Sequence, residues 1–144
     1  MIASKSFYDR YIKFPHADEI PSRISENPKF FPFFEGCLGA VDCTHIESFV
    51  LSEDIPRYQN RKGGISQNVL AACTFDLRFC YVLSGWEGSA ADGRVFEDAH
   101  RVDFAVPPGS YYLADPGFAA CDALMVPFRK VRYHLQEWAL AEQR

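Results

Sequence analysis

The apolar positions of this 144-residue chain change their period along its length. Between Ser4 and Ile12, the residues Phe7, Tyr8, Tyr11 and Ile12 fall at helical spacing, with Ser6 placed to cap a short amphipathic helix. Pro15, Pro21, Pro28 and Pro32 then interrupt any regular element. The stretch Phe14 to Glu35 therefore reads as an irregular arm that lays Phe30, Phe31, Phe33 and Phe34 over a core.

After Gly36 the pattern turns to strands. The segments Cys37 to Asp42 and His45 to Leu51 are close enough to form a hairpin, and "SQNVLAACTF" and "FCYVLSGW" are joined by the short "DLR", which suits antiparallel pairing. "SAADGRVFEDAHR" next places Val95, Phe96 and Ala99 at helical spacing, with Ser89 or Asp92 available as a cap. After the turn "VPPGS" comes "YYLADPGF", a short apolar strand that ends on Asp115. From Ala119 onward the chain is less periodic, and "YHLQEWALAEQR" has the start of a helix. Strands in a run, a helical crossover and a further strand predict an α/β sheet with antiparallel and parallel parts. The expected division is a helix and arm over residues 1–35 and one folded unit over 36–144.

Two of these apolar runs carry an aspartate where a buried strand would not be expected to have one: Asp42 in "GCLGAVDCTHIESFV" and Asp115 in "YYLADPGF". If their strands lie parallel and adjacent, both carboxylates emerge at corresponding points of the sheet, where open α/β folds place ligands. Two such anions repel unless a cation or a shared proton compensates them. All-oxygen ligation suits a hard ion, Mg²⁺ or Mn²⁺, able to activate a water or a hydroxyl against a phosphate. The plainer reading also stands: "ADPGF" is an ordinary turn signature and "VDCT" a possible capped turn. His45 reads as a hydrogen-bonded strand residue rather than as a ligand, since a hard ion does not need imidazole.

Composition adds limits rather than direction. The chain is 48% hydrophobic and 24% charged, the balance of a folded protein, and 13 Phe supply ample core material. A net charge of -4 gives no global basic field, so any nucleic-acid affinity must come from local clusters. Candidates are Arg57, Arg61 and Lys62, and Arg129, Lys130 and Arg132; either set also fits a solvated loop face. Five cysteines without a C-x-x-C pair argue for reduced, buried thiols and against a disulfide framework. With no signal-like or membrane-length apolar stretch, the expectation is an intracellular protein, neither secreted nor membrane-bound.

The blocks "NPKFFPFFEGCLGAVDCTHI", "YQNRKGGISQNVLAACTFDLRFCYVLSGWEGSAADGRVF", "YYLADPGF" and "RKVRYHLQEW", taken in order, resemble the DDE-type nuclease domain of Harbinger-family (PIF/Harbinger) transposases and the cellular genes derived from them. The resemblance covers nearly the whole chain from Asn27. It implies an RNase H-like mixed sheet with flanking helices, incomplete at the C-terminus, in which acidic residues bind divalent metal for DNA strand cleavage and transfer. Carried over by motif, the first acid is Asp42 in "GAVDCTHI", where Cys43 departs from the family's usual Gly, and the second is Asp115 in "LADPGF". Asp92 in "WEGSAADGRVF" matches a frequent family residue near the metal, with Ala91 standing where many members have His.

The family's third acid lies in a block resembling N-x-x-E-R, and neither Glu137 nor Glu142 stands in such a motif. The resemblance thus implies a nuclease of the transposase type using Mg²⁺ or Mn²⁺ at Asp42 and Asp115, with Asp92 beside them and Arg129, Lys130 and Arg132 steering DNA. Weak metal affinity and little turnover are expected with one carboxylate missing. A nuclear or cytoplasmic location and a protein partner that supplies DNA-binding specificity go with it. The alternative is a non-catalytic remnant that binds DNA or protein.

Overall fold

The fold is given by a computed structural model, which describes residues 5–16, 18 and 20–128. Its centre is a five-stranded mixed sheet built from β1 (Cys37–Glu47), β2 (Ser66–Cys73), β3 (Phe79–Glu87), β4 (Tyr111–Leu113) and β5 (Leu124–Met125), in the spatial order β3-β2-β1-β4-β5. The helices are α1 (Lys5–Tyr11), α2 (Ser22–Ser25), α3 (Ile55–Tyr58) and α4 (Asp92–Val102). β1, β2 and β3 form an antiparallel meander. The chain then crosses through α4 and returns as β4, parallel to β1, with β5 parallel to β4. A meander, a helical crossover and a parallel return beside the first strand make the RNase H-like α/β arrangement expected from the sequence.

The hairpin expected between Cys37–Asp42 and His45–Leu51 does not form. β1 is one strand of eleven residues, paired with β2 from Ala40↔Cys73 to Glu47↔Ser66 without interruption. Its polar residues do not break it because Ala40, Asp42, Thr44 and Ile46 alternate onto a face that is exposed among the described residues, while Val41 turns into the core. Asp42 therefore sits inside a ladder and not at a turn.

The other face of the sheet carries α4. Val95, Phe96 and Ala99 are buried on it as their spacing predicts. Neither Ser89 nor Asp92 caps the helix: Ala91 occupies the cap position with no side-chain hydrogen bond, and Asp92 is the first helical residue. Asp92 thereby has its carboxylate free for partners elsewhere while still lying at the positive end of the helix.

Aromatic rings fill the space between α4 and the sheet. Phe104 and Tyr112 are fully buried with centroids 5.2 Å apart, and Phe96 meets both Phe104 at 5.7 Å and Phe118 at 6.1 Å. The arm contributes differently from expectation. Phe30, Phe31 and Phe33 are exposed, because residues 27–35 wind through tight local hydrogen bonds that splay successive rings outward. Phe14, stacked on Tyr81 at 5.9 Å, and the buried Ile24 tie the arm down instead. The cysteines are free thiols, but against the expectation only Cys37 and Cys80 are buried, with Cys43 and Cys73 half-buried and Cys121 exposed; no described helix is long and apolar enough to cross a membrane.

Candidate metal and nucleic-acid site

The register between β1 and β4 decides where the two aspartates stand. Ala40 pairs with Leu113 in parallel, so Asp42 and Asp115 each lie two residues further along neighbouring strands. Parallel strands run about 4.8 Å apart, and equal offsets in a parallel pair preserve the face. Ala114 still donates its N–H to Met125 O at 3.0 Å, which holds the backbone extended up to Asp115.

Both readings of "ADPGF" are then realised together. Asp115 Oδ1 accepts the Gly117 N–H at 2.8 Å, and the Phe118 N–H bonds Asp115 O at 3.3 Å, so a side-chain-braced turn begins at the acid. The turn is anchored by Phe118, which has no exposure and packs on Phe96 of α4. Turn chemistry and core burial thus fix where Asp115 stands.

Asp92 approaches from the α4 side. Asn68 on β2, with no exposure, donates from Nδ2 to Asp92 Oδ1 at 2.9 Å and to Ala90 O at 3.1 Å. The start of α4 also lies against the Asp115 turn: a Cβ on Gly93 would come within 4.0 Å of Gly117 O. Cys43 registers all three acids. Its thiol pKa is raised from 9.0 by burial first, then by the charge of Asp92 and a hydrogen bond to it, and then by the charges of Asp42 and Asp115. The thiol stays protonated beside these carboxylates, where a glycine would bring no side chain at all.

The donor set suits a hard ion. Asp42 Oδ1 accepts only the adjacent Cys43 N–H, at 2.8 Å, and Asp115 Oδ1 only that of Gly117, so among the described residues each keeps its second oxygen for a ligand. Asn68 Oδ1 is buried without a hydrogen-bond partner among the described residues, an acceptor left for water or a cation. No group of three His, Cys, Asp or Glu side chains among those residues is set to hold a metal ion. The fit is therefore to a hydrated ion on one or two carboxylates, the usual habit of Mg²⁺.

Comparison with known proteins identifies the family. The family model described as DDE superfamily endonuclease matches residues 41–143, a span that starts one residue before Asp42. The chain belongs to the DDE superfamily endonuclease family. It is 30% identical over 121 residues to "Putative nuclease HARBI1" of Rattus norvegicus, an alignment covering 82% of this chain and 35% of that relative, and this places the DDE endonuclease chain in the Harbinger-derived group. The chain thus spans about a third of the length of the curated relative it matches. No solved structure matches it.

Within this DDE endonuclease chain, the charges of Asp92, Asp42 and Asp115 all act on the Cys43 thiol, with Asp92 on the α4 side of the sheet and Asp42 on its open face. Arg129, Lys130 and Arg132 lie outside the described residues, as do Glu137 and Glu142. His45 is the hydrogen-bonded strand residue expected, with Nδ1 at 3.1 Å from Ser66 Oγ. Asn68 is the residue that sequence reasoning passed over. The only signal it offered was an amide inside the apolar run "SQNVLAAC", and a lone polar residue in a strand gives no sign of its partner.

Proposed function

We propose that this chain is the carboxylate-bearing part of a divalent-metal-dependent DNA endonuclease of the transposase type. Asp42 and Asp115 are the metal-binding carboxylates in this reading, and Asp92 stands beside them as a third oxygen donor positioned by Asn68. The parallel register in which Ala40 faces Leu113, two residues before each acid, is the observation that supports it. Bound Mg²⁺ or Mn²⁺ would supply Lewis acidity toward a phosphodiester oxygen and an acidified water. The residues would hold that charge in place, and the hydrogen bond from Asn68 keeps Asp92 from swinging away. DNA is the proposed substrate, a further protein the proposed source of sequence specificity, and the nucleus the proposed location. Strand transfer after cleavage completes the family-type reaction.

A second reading has one observation in its favour. With no ready three-ligand group among the described residues, the chain could bind DNA or protein without cutting. Direct Mn²⁺ binding, followed by electron paramagnetic resonance, together with cleavage of plasmid DNA separates the two. Expected are weak Mn²⁺ binding, faint Mg²⁺- or Mn²⁺-dependent nicking by the 144-residue chain, and loss of both in Asp42→Ala, with Mn²⁺ affinity down at least about tenfold. Equal Mn²⁺ binding by the wild type and Asp42→Ala would reject the metal-site reading in favour of the non-catalytic one.

A further inference from the structure

Between Ile55 and Phe75 the chain has no acidic residue, although its net charge is -4. Three cations fall in that interval. Arg57 is paired with Glu87 at 2.9 Å, whereas Arg61 and Lys62 are exposed and make no ion pair among the described residues.

These two side chains project from a turn that is unusually well tied. Asn60 Oδ1 accepts the N–H groups of Lys62 at 3.0 Å and Gly64 at 3.1 Å, the Asn60 N–H bonds Gly64 O at 2.8 Å, and the Gly63 N–H bonds Asn60 O at 2.9 Å. Gly63 takes φ 82°, a conformation that favours glycine. The same Asn60 reaches into the sheet, its Nδ2 donating to Ser66 Oγ at 2.9 Å. Ser66 is buried and lies 3.1 Å from His45 Nδ1. His45 Nδ1 thus shares the Ser66 hydroxyl with Asn60 Nδ2, and the ring itself is exposed.

The position of this assembly is set by β1. Ser66 pairs with Glu47, five residues beyond Asp42 on the same strand, or about 16 Å at the usual strand rise. His45 lies between them. His45 turns to the α4 side of the sheet and Asp42 to the open side, so a backbone running along β1 away from Asp42 would next approach the turn rather than the imidazole.

We propose that the Asn60–Gly64 turn is a clamp for the sugar–phosphate backbone of DNA, holding the strand a few nucleotides from Asp42. This rests on the reading of DNA as substrate, but not on metal binding. Arg61 and Lys62 supply charge to phosphate oxygens, and Asn60 keeps the turn that carries them from having to be ordered when DNA arrives. Such contacts carry no sequence information; they set orientation.

The test is DNA affinity in the presence of EDTA, by fluorescence anisotropy over a salt series, for the wild type, Arg61→Ala/Lys62→Ala, Asn60→Ala, and an Arg78→Ala/Arg101→Ala control that removes the same charge elsewhere. The first variant is expected to bind more weakly, with a plot of log affinity against log salt flatter by about 2, while the control keeps the wild-type slope. Asn60→Ala is expected to bind more weakly with a smaller change in slope, as its charge is unchanged. An unchanged slope in Arg61→Ala/Lys62→Ala, an equal loss in the control, a loss seen only with RNA of the same length, or no DNA binding by the wild type would each overturn the clamp. Mn²⁺ binding is measured in parallel. Failure there with a working clamp rejects the metal site alone, and the converse rejects the clamp alone.

Discussion

Asn68 shows how much one amide can decide in this fold. Its two hydrogens are divided between Ala90 O, at the approach to α4, and the carboxylate of Asp92, so a single buried side chain joins strand, helix and acid. Replacing it by Ala leaves a half-buried carbonyl without its donor and a carboxylate without its brace, at a cost of about 1–2 kcal/mol. Asn68→Ala should unfold at correspondingly lower urea concentration. If Asp92 contributes to metal binding, Mn²⁺ affinity should also fall about tenfold, as for other residues that orient a ligand. A loss of stability with Mn²⁺ affinity unchanged would leave Asn68 a purely structural residue.

At the level of elements, the site depends on β1 being flanked correctly on both sides. Gly39 lies at the irregularity where β1 meets β4 between Cys37 and Gly39, and a Cβ there would collide with Cys73 O of β2. The side chain is absent because the neighbouring backbone occupies its place. Gly39→Ala must push β2 away or shift the β1–β4 register, and the strain expected for such overpacking is about 1–3 kcal/mol. Thermal unfolding should show that loss. Since the same register sets the strands that lead to Asp42 and Asp115, Mn²⁺ binding at the proposed site should weaken with it, which a circular dichroism melt and a metal titration on the same sample can check.

Across the whole molecule, several ionisable groups are held neutral by the same compact core. Burial raises the Cys43 thiol above 9.0 and, with the hydrogen bond and charge of Asp103, raises the Tyr81 phenol above 10.0; burial, with Cys80 next in effect, does the same for Tyr112. Each keeps its proton in the folded state after it would have lost it in the unfolded chain, so above pH 9 the unfolded state binds fewer protons. The stabilisation is complete below the unfolded values and is lost as pH rises through and beyond them. Urea unfolding midpoints should therefore be flat below about pH 8 and fall steadily above 9. A midpoint that rose between pH 9 and 11 would contradict the burial of these groups.

What the sequence determined by itself were the local periods and the motifs. The helix around Val95, Phe96 and Ala99, the antiparallel pair joined by "DLR" and the turn at "ADPGF" were legible because each follows from neighbours a few residues away. The blocks around Asp42 and Asp115 pointed to the family for the same reason. The continuity of β1 through Asp42 was not legible, because a polar residue inside a strand is tolerated only if its face is open, and openness belongs to the assembled sheet. Nor was the outward set of Phe30, Phe31 and Phe33, where local turns overruled hydrophobicity. Only the tertiary structure decided that Ala40 faces Leu113, that Asn68 holds Asp92 and that Asn60 reaches Ser66. Those are contacts between residues distant in the chain or turned toward one another by pairing, and no local pattern encodes them.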